Sequence, residues 1–542
     1  MRKTYFLIVI IVVLSMISTA CNSEIFQIAN QEIDIENQEE IVEVGRNKDT
    51  NLILSVTRFK TLNPLLNNNR SLVQVHKLIY ESLVSFDEEM KVVPQLAQKW
   101  EVSEDGRTID FTIRQNVYWH DGKEFSIDDI IFTFDVIKKA YKDRKTHSPY
   151  EDIADLILSK VDDNTVRFYF ERPIGTALDL LVFPILPSHL FLEGNLDKLY
   201  SNDFPLVGTG RYKIKEYLRM RQLTLIKNDR YWGKQASIEK IEVVVVPDLN
   251  AQISLLDSGE INFVQVVDTD WRRYYDHDSL RVYEFITNNL EFIGFNFKNE
   301  TLNNLKVRKA IAYAIDRHRL VSNIYLGHAT IVDVPVNPNS WLYYEGEYLF
   351  SHNIENAKIL LDEAGYRINK DKMIRENADG EELIFRLITN EGNSMREKTA
   401  YFIKEMLEEI GIKLEIEILE WEEFNEAVEI SDFDIVLAGW HLSKIHDLSF
   451  AFHSTEIGNT NIINYQNEEL DVKLESVTNS IGREEFSENS KLVQRYISDN
   501  LLYYCLFFEH QAIVMDRRVE GLVNPQFHNI FYEIEEWYFD VD

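Results

Sequence analysis

Cysteine is almost absent from this chain, whose 542 residues include 2, Cys21 and Cys505. Two thiols so far apart build neither a disulfide framework nor a zinc site by themselves. Glycine and proline are sparse, at 20 and 11, while hydrophobic residues make up 45% and aromatics 12%. That balance excludes collagen-like and disordered classes and supplies cores for several packed units. Positive charge is also short, with 57 Lys+Arg against 90 Asp+Glu and a formal net charge of -33. A surface of that sign repels phosphate backbones, so no nucleic-acid partner is expected. The common catalytic signatures are missing: there is no GxxxxGK(S/T) loop, no HExxH, no GxSxG and no GxGxxG after a strand. No catalytic residue, metal or cofactor is therefore expected. A secreted hydrolase using paired carboxylates stands as the enzymatic alternative.

No apolar run is long enough to span a bilayer, which takes about 20 residues. What the amino terminus has instead is Arg2 and Lys3, an apolar stretch from Tyr5 to Leu14, and small residues up to Cys21. This is the order of an export signal. Ser18-Thr19-Ala20-Cys21 resembles a bacterial lipobox, with Ser18 where Leu is commonest. Residues 1–20 are thus expected to be a lipoprotein signal peptide, with Cys21 lipidated and holding the protein on the outer side of the cell membrane. A spanning anchor is the alternative. Residues 21–49, rich in Glu, Gln and Asp, read as an acidic tether.

Strands and helices interleave in the body. Ile109, Phe111 and Ile113 alternate with polar residues after the Asp105-Gly106 turn, as in a half-buried strand. From Asn304 to Leu326, apolar residues at helical spacing predict one amphipathic helix. Leu383 to Thr389 reads as a strand, Ser394 to Ile410 as a helix stopped by Gly411, and Ile412 to Ile418 and Phe433 to Ala438 as further strands. The class is α/β with parallel pairs. His120-Asp121-Gly122 reads as a turn rather than a catalytic pair. His441 and His446, five apart, lack the spacing and the cysteines of a structural metal site.

The segments Thr61-Leu62-Asn63-Pro64-Leu65, Ile79-Tyr80-Glu81-Ser82-Leu83-Val84, Pro94-Gln95-Leu96-Ala97 and Trp100 to Gly106 come in a familiar order. Val117 to Lys123, Val207-Gly208-Thr209-Gly210-Arg211-Tyr212, Val307 to Arg317 and Ala438-Gly439-Trp440 follow. Together they resemble the family 5 extracellular solute-binding proteins, the oligopeptide, dipeptide and nickel receptors of bacterial ABC importers, over essentially the whole body.

The resemblance implies a type 2 periplasmic-binding-protein fold, two α/β lobes around a ligand cleft with an extra domain inserted in the first lobe. Lobe I would comprise 50–82, 206–290 and 496–542, the inserted domain 83–205, and lobe II 291–495. The implied function is a substrate-binding lipoprotein of an ABC importer, a monomer that delivers a peptide or similar small solute to permease and ATPase subunits. A receptor for a nickel chelate or another non-peptide solute, or a pheromone or signalling receptor of the same fold, is the alternative. In peptide-binding members an Asp three residues after the Trp of the Gly-Trp motif pairs with the peptide's ammonium. Here that position is Ser443, and Asp447 is the nearby substitute. Gly439, Trp440 and His441 would meet the ligand through backbone groups and a stacking ring, with Asn69 and Arg70 lining the first lobe. Lys444, if it faces inward, would favour a carboxylate.

Overall fold

A computed structural model describes residues 50–142, 153, 156–191, 195–201, 204–267, 270–346, 350–444 and 446–540. The signal segment, Cys21 and the tether lie outside the described residues. The strands that position the site are β1 (Leu52–Thr57), β2 (Ala97–Val102), β3 (Thr108–Ile113), β4 (Ile157–Lys160), β5 (Thr165–Tyr169), β6 (Tyr212–Leu218), β7 (Gln222–Lys227) and β8 (Lys240–Val246). They continue with β9 (Phe263–Val266), β10 (Leu280–Phe295), β11 (Ala329–Ile331), β12 (Ile384–Asn390), β13 (Lys413–Leu419), β14 (Ile435–His441) and β15 (Tyr503–Asp516). The helices used below are α1 (Arg70–Ile79), α2 (Ile127–Lys142), α3 (Leu305–Ala314), α4 (Arg317–Asn323) and α5 (Ser394–Glu408).

Among the described residues eleven strands share one sheet, ordered β13-β12-β14-β10-β15-β9-β1-β8-β7-β6, with β11 paired to β15. β1 lies parallel to β8 and β9, and β12 lies parallel to β13 and β14. The antiparallel strands β10 and β15, of 16 and 14 residues, are long enough to serve both halves of the sheet. Their β-branched and aromatic residues suit burial on both faces. β2-β3-β5-β4 form a separate antiparallel sheet, in which β3 buries Ile109, Phe111 and Ile113 as the alternation predicts. One continuous core joins this sheet and α2 to β1 and β8. On β14, Ile435 and Leu437 enter one core while Val436 and Ala438 enter another, so the second half of the sheet is covered on both faces. Among the described residues no helix is long and apolar enough to cross a membrane.

The single helix expected over 304–326 is two, because the chain turns extended at Ile315 and Asp316. Asp316 then caps α4, its carboxylate accepting the Arg319 N–H at 3.0 Å. The two arginines of this stretch are structural. Arg308 donates to the carbonyls of Leu302, Asn303, Asn500 and Leu501, and Arg317 to those of Val332 and Cys505 and to Asp333. A buried guanidinium satisfied by carbonyls locks helix ends to a strand, which apolar periodicity alone cannot reveal.

Candidate functional site

β10 and β15 pair in register from Leu280↔Asp516 to Ile286↔His510 and resume at Leu290↔Phe508. Thr287, Asn288 and Asn289 therefore face Glu509 alone, a wide irregularity where the two halves of the sheet meet. Side chains replace the lost ladder. Thr287 Oγ1 donates to the Glu509 carbonyl at 2.8 Å, and Asn337 Nδ2 donates to the Thr287 carbonyl at 2.9 Å and to Asn288 Oδ1 at 2.7 Å. Asn288 Nδ2 donates to the carbonyls of Leu442 and Ser443, and Leu442 N–H returns to the Asn288 carbonyl. Asn289 accepts from His441 Nδ1 at 2.7 Å and donates to Glu509 at 3.1 Å.

The loop leaving β14 thus starts on this irregularity and carries Ser443, Lys444, His446 and Asp447. Ser443 is exposed, while Lys444, His446 and Asp447 are half-buried. Ser443 and Asp447 line one cavity of about 20 Å³ with Asn288, Asn337 and Phe450, room for about one water. Asp447 Oδ1 accepts the Ser449 N–H at 2.8 Å, which fixes the carboxylate. Pairing of β14 with β12 ends at Val436, so residues 439–441 have a partner strand, β10, on one side.

α1 packs on β1 and β6. Asn69 is its cap, accepting from Leu72 N–H and Ser71 Oγ and donating to Thr57 and Arg58, so its amide is fully committed within the protein. Arg70 is exposed and within electrostatic range of His441, which is lowered in pKa first by burial and then by Arg70 and Lys444. One turn on, Gln74 straps the segment 527–530 to the helix: Nε2 donates to the Phe527 carbonyl at 3.2 Å and Oε1 accepts Ile530 N–H at 3.1 Å. Arg70, Gln74 and Lys77 share one stripe of α1.

Trp440 packs inside its own half of the molecule, parallel to Phe292 at 6.2 Å, edge-on to Phe450 at 5.3 Å, and donating to Tyr503 Oη at 3.3 Å. Gly439 is required by the protein itself, since a Cβ there would overlap Glu291 Oε1 and Arg396 Nη2. His120 is structural as well. Its Nδ1 accepts Gly208 N–H at 3.2 Å, so Nε2 carries the proton and donates to the Gly210 carbonyl at 3.0 Å. Among the described residues no group of three His, Cys, Asp or Glu side chains is placed to hold a metal.

Burial holds His76 down to about 3 and His446 to about 4, from the ordinary 6.5. The unfolded chain therefore binds more protons than the folded one below pH 6.5, and stability falls as pH drops from 6.5 toward 4. For the buried His76 the slope approaches about 1.4 kcal/mol per pH unit. Denaturant titrations at pH 7 and pH 5 should show a loss on the order of 2 kcal/mol. His76→Phe should shrink that difference; an unchanged one would show that His76 is not held neutral.

The architecture is that of a two-lobed solute-binding protein. A family model for bacterial extracellular solute-binding proteins, family 5 Middle, matches residues 91–460. The oligopeptide-binding protein AppA of Bacillus subtilis is 30% identical over 490 residues, 88% of this chain and 89% of that protein. A solved structure of AppA from Bacillus subtilis in complex with a nonapeptide is 28% identical with a TM-score of 0.63, covering 91% of this chain and 99% of that one. HbpA2 from Haemophilus parasuis shares the fold, with a TM-score of 0.79 at 23% identity over 91% of this chain and 100% of that one. The chain belongs to the family 5 bacterial extracellular solute-binding proteins.

Proposed function

We propose that this protein captures peptides in the cleft between its lobes and delivers them to an ABC permease, working as a monomer tethered through a lipid on Cys21. The lobe boundaries given above are part of the same proposal. The observation that carries the peptide reading is the strand edge at 439–441, which β12 leaves open beside the Ser443 and Asp447 cavity. An extended peptide adds to such an edge through main-chain hydrogen bonds, with loose demands on its side chains. Asp447, which lines the same cavity as Ser443, would stand in for the carboxylate that the family resemblance implies at 443 and take the peptide's ammonium. Hinge bending at Thr287 to Asn289 would close the lobes over the ligand, since side-chain bonds tolerate a change of angle there better than a continuous ladder. The experiment is native mass spectrometry of residues 22–542 purified without refolding, with Asp447→Asn beside it. Bound short peptides on the parent, lost from the variant, support the reading.

A further inference from the structure

The segments 172–179 and 477–486 meet although they are packed into different cores. Ala177 and Leu178 belong to the core that holds β3 and α2, whereas Leu342, Val477 and Phe486 belong to the core under Val436 and Ala438 of β14. Hydrogen bonds cross between the two. Gly175 N–H donates to the Thr478 carbonyl at 2.8 Å, Arg172 Nη1 to Asn479 Oδ1 at 3.0 Å, and Trp341 N–H to the Glu89 carbonyl at 2.9 Å. Arg483, the first residue of α6 (Arg483–Asp499), also reaches across, Nη1 to Asp179 Oδ2 at 3.1 Å, with its guanidinium 4.2 Å above the Trp341 ring.

This ion pair is enclosed, the Asp179 side chain being 1% exposed and that of Arg483 24%. Among the described residues Asp179 Oδ1, Arg483 Nη2 and the Trp341 indole nitrogen have no hydrogen-bond partner. A permanent contact satisfies its buried polar groups. Burial pushes the Asp179 carboxyl up to about 6, against the pull of Arg483. Desolvation thus offsets most of what the pairing gains, and separation would return water to three polar atoms, so the contact is poised near balance. Its fit is close all the same. A Cβ on Gly175 would stand 2.5 Å from Phe486 Cδ2 and 2.6 Å from the Val477 carbonyl oxygen, so the missing side chain is what lets the segments touch.

The contact shares its scaffold with the cavity beside Ser443 and Asp447. Ser340 Oγ and His446 Nε2 share a hydrogen bond at 3.3 Å, and His446 lines that cavity together with Ser490 of α6. Gln494 of α6 fastens the loop after Trp341 to the helix, donating to the Leu342 carbonyl at 2.8 Å and accepting Tyr344 N–H at 2.9 Å. Trp341 and Arg483 are therefore mechanically tied to the walls of the cavity.

Resting on the lobe boundaries and the closing motion proposed above, we infer that Asp179, Arg483 and Trp341 form a latch through which the inserted domain and lobe II clasp when the receptor closes, and that this clasp sets how long a bound ligand is held. In those boundaries Glu89, Arg172, Gly175 and Asp179 fall in 83–205, while Trp341, Thr478 and Arg483 fall in 291–495. A ligand in the cavity would steady the loop and helix that present Trp341 and Arg483, so filling and latching favour each other.

The test is amide hydrogen exchange on the full chain in detergent, resolved to single residues by fragmentation mass spectrometry, with dissociation of trialanine followed on the same proteins. In the parent, the N–H groups of Gly175 and Trp341 should be protected. Asp179→Asn and Arg483→Met should each speed their exchange about tenfold or more, while amides of β3 and β12 keep parental rates. Gly175→Ala, which leaves the charges in place and wedges the segments apart, should do the same to Trp341. Trialanine should leave all three variants about tenfold faster than the parent, with its association little changed. Faster exchange confined to these amides, with no trialanine bound even by the parent, keeps the latch and sinks the peptide reading. Loss of protection that spreads equally to β3 and β12 makes the contact an ordinary part of the fold and overturns the latch. Unprotected amides in the parent, parental exchange in all three variants, or a local loss with unchanged trialanine dissociation overturns it as well.

Discussion

Glu291→Ala is expected to cost about 3–5 kcal/mol of folding free energy in urea titrations. Glu291 lies on β10 and is 3% exposed. Arg396 on α5 grips it with both arms of its guanidinium, Nε to Oε2 at 2.8 Å and Nη2 to Oε1 at 2.5 Å. Burial pushes the carboxyl up and Arg396 pulls it back, while the pairing favours the charged guanidinium. Removing the carboxylate strands a positive charge, with Asn390 left as a neutral acceptor, in a place water does not reach freely. Glu291→Leu combined with Arg396→Met removes both charges and should recover most of the loss. A single-variant cost below about 1 kcal/mol would show that the site relaxes enough to admit water. This pair also explains Gly439, where β14 passes over the pair with no space for a side chain. Because residues 439–441 pair with β10, a shifted β14 would carry the loop that follows it.

Gly208→Ala is expected to cost at least about 3 kcal/mol in stability. A Cβ there would overlap the Ile79 carbonyl oxygen, which is main chain and cannot rotate away. That carbonyl accepts Gly210 N–H at 2.9 Å, and His120 is bonded to both glycines, so the loop cannot retreat either. The strain falls on the last turn of α1, the helix that carries Arg70 and Lys77. Thermal unfolding should report the loss directly, and the surviving folded fraction should bind ligand more weakly. A variant of parental stability would mean that α1 can slide on its sheet.

Much of the fold was legible before any coordinates. The run from Leu383 to Trp440 shows its strand, helix, strand and strand in alternating and helical periods, and the structure has β12, α5, β13 and β14 there. The break between α3 and α4 was not legible, because Asp316 sits at a position the apolar period leaves polar either way. The site was read unevenly. Trp440, expected to stack on the ligand, spends its ring on Phe292, Phe450 and Tyr503, and Asn69 spends its amide capping α1. Neither role leaves a trace in sequence, since an aromatic or an asparagine looks the same whether it faces a ligand or its own chain.

The measurement closest to the central claim is native mass spectrometry of residues 22–542, purified without refolding, followed by denaturing release of whatever is bound. The account predicts a ladder of short peptides released at unchanged mass, and their loss from the Asp447→Asn protein. A bare protein mass that gains no peptide on titration would contradict it.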